Sequence, residues 1–172
     1  MKINFIIIFI ILSTISFGQT QTFASKGFKV KCECNLKVNT TFIKMMEQQS
    51  TQNIFAAYTC AQNNTNPETG VIYNINIYDF TNDYRNMKPS QYSSYEKSYL
   101  KSYARQLADN NMTYTYVTYL GVNAIQYDFD QMGLPTKAIM FMKNKKSYLL
   151  QVATNLSLLN KFTSFKNSFS LL

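Results

Sequence analysis

Histidine and tryptophan are absent from this 172-residue chain. Without histidine there is no side chain that titrates near neutral pH, no usual general base and no commonest metal ligand. Neither a Ser-His-Asp nor a Cys-His catalytic arrangement can be assembled. Glycine is scarce: five residues, spread singly, with no Gly-rich loop to cradle a phosphate. Cysteine is limited to Cys32, Cys34 and Cys60. With no histidine and no second cysteine pair, the composition argues against a metal centre, and no cofactor is expected. Acidic residues are few: nine Asp and Glu against 17 Lys and Arg, a net charge of +8. That balance favours acidic partners, although scattered lysines also serve solubility.

One long apolar run is present, at the start. Lys2 precedes Ile3–Leu12, and Ser16-Phe17-Gly18 follows. A basic start, about ten apolar residues and small residues at −3 and −1 form the pattern of a cleaved secretory leader. Residues 1–18 are therefore expected to be a signal peptide, with cleavage before Gln19. The run is well short of the roughly 20 residues of a spanning helix, so the mature chain is not expected to be an integral membrane protein. Export makes nucleic acid an improbable partner, and the short Ile-rich leader ending in Phe-Gly-Gln has a bacterial character. Periplasm and external medium are equally open.

Residues 19–172 are enough for a single domain with a real core. The 13 Tyr and 13 Phe of the chain supply apolar area that offsets the entropy of ordering. In an exported protein disulfides persist. Cys32 and Cys34, two apart on one expected strand, point the same way and are poorly placed to bond each other. Either could reach Cys60 on a neighbouring strand; Cys34–Cys60 is favoured. The alternative is three buried thiols behaving as small hydrophobes.

Alternation predicts strands over Gly27–Leu36, Asn53–Ala61, Val71–Phe80, Met112–Leu120, Val122–Gln131, Thr136–Met142 and Ser147–Ala153. Residues Thr40–Gln48 fit a short helix or a strand. Lys143-Asn144-Lys145-Lys146 reads as a tight hairpin turn. The clearest helix opens at Pro89-Ser90 and closes at Asn110-Asn111. Its apolar face carries Tyr92, Tyr95, Tyr99, Leu100, Tyr103, Ala104 and Leu107, opposite Lys97, Lys101 and Arg105. A last helix from about Leu156 presents Leu158, Phe162, Phe165 and Phe169. The expected fold is α+β: an antiparallel sheet of about seven strands with two main helices packed on it.

Three features carry a family resemblance: the early Gly27-Phe28-Lys29-Val30 strand, the central helix followed by the ladder from Gly121 to Ala153, and the closing Phe162-Thr163-Ser164-Phe165-Lys166-Asn167-Ser168-Phe169. Together they make residues 23–172 resemble the PsbP/Mog1-like α/β/α sandwich group. The chain departs from that pattern at Cys32-Glu33-Cys34, where many members have a proline. The resemblance implies a fold and no catalytic residues. The group includes a photosystem accessory subunit, a nuclear-transport factor and bacterial envelope proteins, most of which dock on a partner.

Two sets of residues are candidates for binding. One is Tyr92, Tyr95, Tyr99 and Tyr103, with Tyr114, Tyr116 and Tyr119 on the next strand; tyrosine suits interfaces, although these rings could instead seal helix to sheet. The other is the Lys143, Lys145 and Lys146 tip, suited to an acidic surface or simply a charged hairpin end. Asp128 and Asp130, about 7 Å apart on one strand face, invite a carboxylate-dependent hydrolase or a cation site. Alternation alone also explains both. The expected function is an exported, non-enzymatic binding or accessory protein of the bacterial envelope, docking a protein or an apolar ligand. A small lipid carrier, with its cavity between the sheet and the tyrosine helix, is the further alternative.

Overall fold

A computed structural model describes residues 18–49, 53–63, 66, 68–131 and 133–172. The expected leader lies outside these residues except for Gly18. The first strand, β1 (Gln19–Phe23), pairs antiparallel with β2 (Phe28–Cys32). They are followed by β3 (Lys37–Val38), α1 (Thr40–Gln49), β4 (Asn53–Gln62), β5 (Val71–Asp79), α2 (Thr81–Tyr84) and α3 (Pro89–Asp109). The second half holds β6 (Tyr114–Tyr119), β7 (Val122–Gln131), β8 (Leu134–Lys143), β9 (Lys146–Thr154), α4 (Leu158–Ser168) and β10 (Ser170–Leu171).

The main sheet has seven antiparallel strands in the order β3-β4-β5-β9-β8-β7-β6. A second sheet of three strands, β1-β2-β10, lies apart from it. The expected α+β fold with a seven-stranded sheet is therefore present. The strand expected over Gly27–Leu36 is shorter, Phe28–Cys32, and β3 lies beyond its expected end. The ladder of β2 stops at Cys32, residues 33–36 bend, and the chain rejoins the other sheet at Lys37. Cys34 consequently sits just past a strand end. Helix α1 resolves the ambiguity at residues 40–48 as helix; it buries no residue fully, which is why no apolar stripe announces it.

The two faces of the main sheet are covered differently. On one side α4 and the small sheet enclose Phe28, Val30, Ile75, Ile77, Phe141, Leu150, Phe162, Phe165 and Phe169. Ser168 locks this layer: its hydroxyl accepts from Lys31 N–H at 2.9 Å and donates to the Lys31 carbonyl at 3.1 Å. On the other side α3 packs Leu100, Ala104 and Leu107 onto Ile125, Tyr127, Ala138 and Met140. The start of α3 has the expected proline. Gln91 reaches back to accept the Lys88 N–H at 2.8 Å, a cap for the first turn.

Candidate functional site

Strands β8 and β9 join through Asn144 and Lys145, with φ of 53° and 59°, closed by the pair Lys143↔Lys146. Two residues with positive φ between paired strands make a type I′ turn. The same chain builds a second such turn between β6 and β7 from Leu120 and Gly121, φ 50° and 78°. There the second position is glycine, which occupies left-handed backbone freely. A side chain in that conformation costs roughly 1–2 kcal/mol. Lys145 takes it at the tip of β8–β9.

Two contacts hold Lys145. Its carbonyl accepts the Phe80 N–H at 3.0 Å. Its ammonium lies 5.4 Å from the Tyr92 ring centroid and 6.0 Å from that of Tyr84, within cation–π range. Tyr84 is buried and forms the floor, with Tyr92 and Tyr95 edge-on to it at 4.7 and 5.1 Å. Its hydroxyl donates to Glu96 at 3.1 Å. Burial first, then the Glu96 charge, pushes the Tyr84 phenol up. Burial, then Asp83, pushes Tyr95 up to about 12. Both phenols therefore stay neutral donors through the physiological range.

The structure thus brings Tyr92, Tyr95 and Lys145 together, from two segments the sequence leaves far apart. It sends the other two tip lysines elsewhere. Lys143 donates to the Leu120 carbonyl at 2.6 Å, tying the two type I′ turns to each other. Lys146 sits 4.6 Å over the Phe55 ring, with Lys26 also on that ring at 4.2 Å. Phe55 is the extra residue of a bulge in β4. Asp79 lies beside Lys146: burial pushes its carboxyl up, but hydrogen bonds from Thr81 and the Lys146 charge outweigh this and hold it below the usual range. Tyr84, Phe55 and Lys26 are not among the candidates read from the sequence; Tyr84 stands alone as an aromatic among the polar residues Asn82, Asp83, Arg85 and Asn86.

Tyr99 and Tyr103 point into the α3–sheet interface. Tyr99 packs edge-on to Phe80 at 4.9 Å, and the Tyr103 and Tyr127 hydroxyls meet at 2.6 Å. They line a cavity of about 140 Å³ with Tyr78, Met140 and Leu149. It occupies the place expected for a carrier's chamber but is smaller than the roughly 300–1,000 Å³ of ligand sites. Tyr119 donates to the Lys166 carbonyl at 2.5 Å, Tyr114 is half-buried, and Tyr116 is 55% exposed. Asp128 pairs across strands with Lys137 at 2.5 Å, and Asp130 accepts the Gly133 N–H at 2.6 Å. Each acid has a local partner of its own.

Cys34 and Cys60 are bonded as expected, with Cα atoms 6.0 Å apart. Cys32 is a free, buried thiol. It borders a second cavity of about 200 Å³, lined also by Glu33, Tyr73, Lys161 and Phe165. Glu33 and Lys161, both in its lining, form an ion pair at 2.8 Å. No helix among the described residues is long and apolar enough to cross a membrane.

No family profile and no curated protein matches the chain. Among solved structures it is similar to cyanobacterial PsbP (CyanoP) from Synechocystis sp. PCC 6803. That match covers 93% of this chain and 95% of the other, at 9% identity and a TM-score of 0.42. It is also similar to PA94 from Pseudomonas aeruginosa, a protein of unknown function described as a putative regulator. There the cover is 60% of this chain and 72% of that one, at 10% identity and a TM-score of 0.37. The resemblance to PsbP is one of fold, and a weak one.

Proposed function

We propose that this chain is an exported, non-enzymatic binding protein of the bacterial envelope, whose Tyr92–Tyr95–Lys145 patch docks an acidic surface on a partner protein. One observation carries the reading: Lys145 holds left-handed backbone at a turn position where glycine is free of strain. A strained residue beside aromatic side chains is a reason to look for function there. Its ammonium and the Tyr92 ring make a surface that is both cationic and aromatic, the pairing that interfaces favour. The chain's net charge of +8 adds long-range attraction for an acidic partner. The leader pattern and the Cys34–Cys60 disulfide suit an oxidising, extracytoplasmic setting. A protein partner is preferred to an apolar ligand because the cavity beside Tyr103 is small.

Lys145→Gly tests this without harming the fold. Relief of the left-handed lysine stabilises by about 1 kcal/mol, and loss of the cation–π contact costs about 0.5–1 kcal/mol. The variant should therefore be as stable as the parent. Partner capture from the native host's envelope fraction, at low salt and at about 0.5 M salt, is the readout. The expected result is a salt-sensitive acidic partner whose affinity drops at least about tenfold, or 1.4 kcal/mol, with the variant. Equal capture by parent and variant would sink the reading.

A further inference from the structure

Cys32 is the free thiol, yet it is the worst placed of the three cysteines to meet a reagent. It is 3% exposed, at the end of β2 and beneath α4. Cys34, held in the disulfide, is half-buried at the bend that follows. The Cys32 sulfur lies 3.6 Å from the Cys60 sulfur, which is van der Waals contact between the free thiol and the bridge. All three sulfurs fall within 4.8 Å of one another. We infer that Cys34 is the protein's thiol-modification site, reached by exchange: Cys32 displaces Cys34 from Cys60 and so delivers the reactive thiol to the surface.

The step is redox-neutral. The Cys32 thiolate attacks the Cys60 sulfur, a Cys32–Cys60 bond forms, the Cys34–Cys60 bond breaks, and Cys34 leaves as thiolate. The Cys32 proton goes to solvent and a proton returns to Cys34. No oxidant or reductant enters. The Cys34 thiol then reacts with soft electrophiles, or with a small-molecule disulfide to give a mixed disulfide and release the second thiol. Three sulfurs so close together are not collinear, and in-line attack needs a rotation about the Cys32 Cα–Cβ bond. The cavity of about 200 Å³ beside Cys32 gives room for it.

The groups facing Cys32 set the pH at which this happens. Burial pushes its thiol up to about 11, and the Glu33 charge adds to the rise. The backbone N–H groups of Cys34 and Glu33 hydrogen-bond the sulfur and work the other way. Lys31, Lys161 and the Tyr73 phenol line the same cavity. Below that pKa the thiolate fraction rises about tenfold per pH unit, so exchange is slow at neutral pH and faster in mild alkali.

The test is iodoacetamide labelling of the folded, oxidised mature protein, followed by acid quench and mapping without reduction. Cleavage after Lys31 and after Glu33 puts Cys32 and Cys34 in separate peptides. The expected product carries the label on Cys34 and a Cys32–Cys60 bridge. Its yield should rise about 100-fold in rate between pH 7 and pH 9, and Cys32→Ser should abolish it. Label on Cys32 with the original bridge intact would overturn the proposal, as would no label after overnight treatment at about pH 9. Cys34→Ser gives a second readout: the purified variant should hold a Cys32–Cys60 disulfide, and two free thiols would count against the exchange geometry.

Discussion

The two faces of the main sheet are both sealed by a helix, but with different aromatic chemistry. Under α4 the seal is phenylalanine: Phe28, Phe141, Phe162, Phe165 and Phe169 are all at most 2% exposed. Under α3 it is tyrosine: Tyr78, Tyr99, Tyr103 and Tyr127, continuing into Tyr84, Tyr92 and Tyr95. These phenylalanine rings are themselves sealed from water, although a cavity of about 200 Å³ borders Phe165. A tyrosine layer must satisfy its hydroxyls, so it takes polar neighbours and an open rim. On the tyrosine side a half-buried ring meets a cation at Tyr92 and Lys145, and on the phenylalanine side Phe55 meets Lys26 and Lys146.

Breaking the phenylalanine side should have the largest effect. Phe165→Ala empties a fully buried site between α4 and Tyr73, and should cost about 4 kcal/mol in denaturant unfolding. A matching truncation on the tyrosine side, Tyr99→Ala, should cost clearly less, because that ring is only half-buried. Next comes the staple, which sits on the α4 side. Cys60→Ser opens a loop of sequence separation 26 and should cost about 3.5 kcal/mol. Cys34→Ser should cost much less if Cys32 takes its place.

The tyrosine side is the one to sharpen by pH. Tyr103→Phe removes the hydroxyl pair with Tyr127 and should cost about 1 kcal/mol. Burial raises Tyr78 and Tyr127 to about 12. Unfolded tyrosine ionises near pH 10. The unfolded chain therefore releases protons that the native state keeps, so stability is full below about pH 10 and falls between 10 and 12. Chemical denaturation across that window should show the loss, and a flat profile would mean these rings are not sealed. The smallest effect belongs to the surface: Asp128→Asn removes a pair with a 59% exposed carboxylate and should shift stability by less than about 0.5 kcal/mol.

Much of this architecture is legible in the residues. Pro89, the tyrosine spacing and Asn110-Asn111 bound α3, and alternation locates β4 through β9. What escapes has weak local signal. In β1, Gln21 does the holding: its amide donates to the Cys34 carbonyl at 2.8 Å and accepts the Leu36 N–H at 2.7 Å. A polar clamp of that kind leaves no apolar pattern. Strand β10 is two residues long and exists only because β2 is there to pair with it. Cys60 is readable as one end of the bridge, being the one distant partner for Cys32 and Cys34; which of the two it takes is not. The tyrosines and the tip lysines were readable as types, but their division of labour was not. Lys143, Lys145 and Lys146 point to three different partners, and the left-handed backbone of Lys145 has no trace in a four-residue run containing three lysines.

The most direct measurement is site-specific photo-crosslinking in the native host, with the probe placed at exposed Asn144 beside Lys145, and at exposed Arg105 on the outer face of α3 as reference. The patch reading predicts a discrete acidic protein adduct from position 144, absent from position 105 and lost when Lys145→Gly is added. Adducts of the same pattern from both positions, or an adduct at 144 that persists with Lys145→Gly, would contradict it.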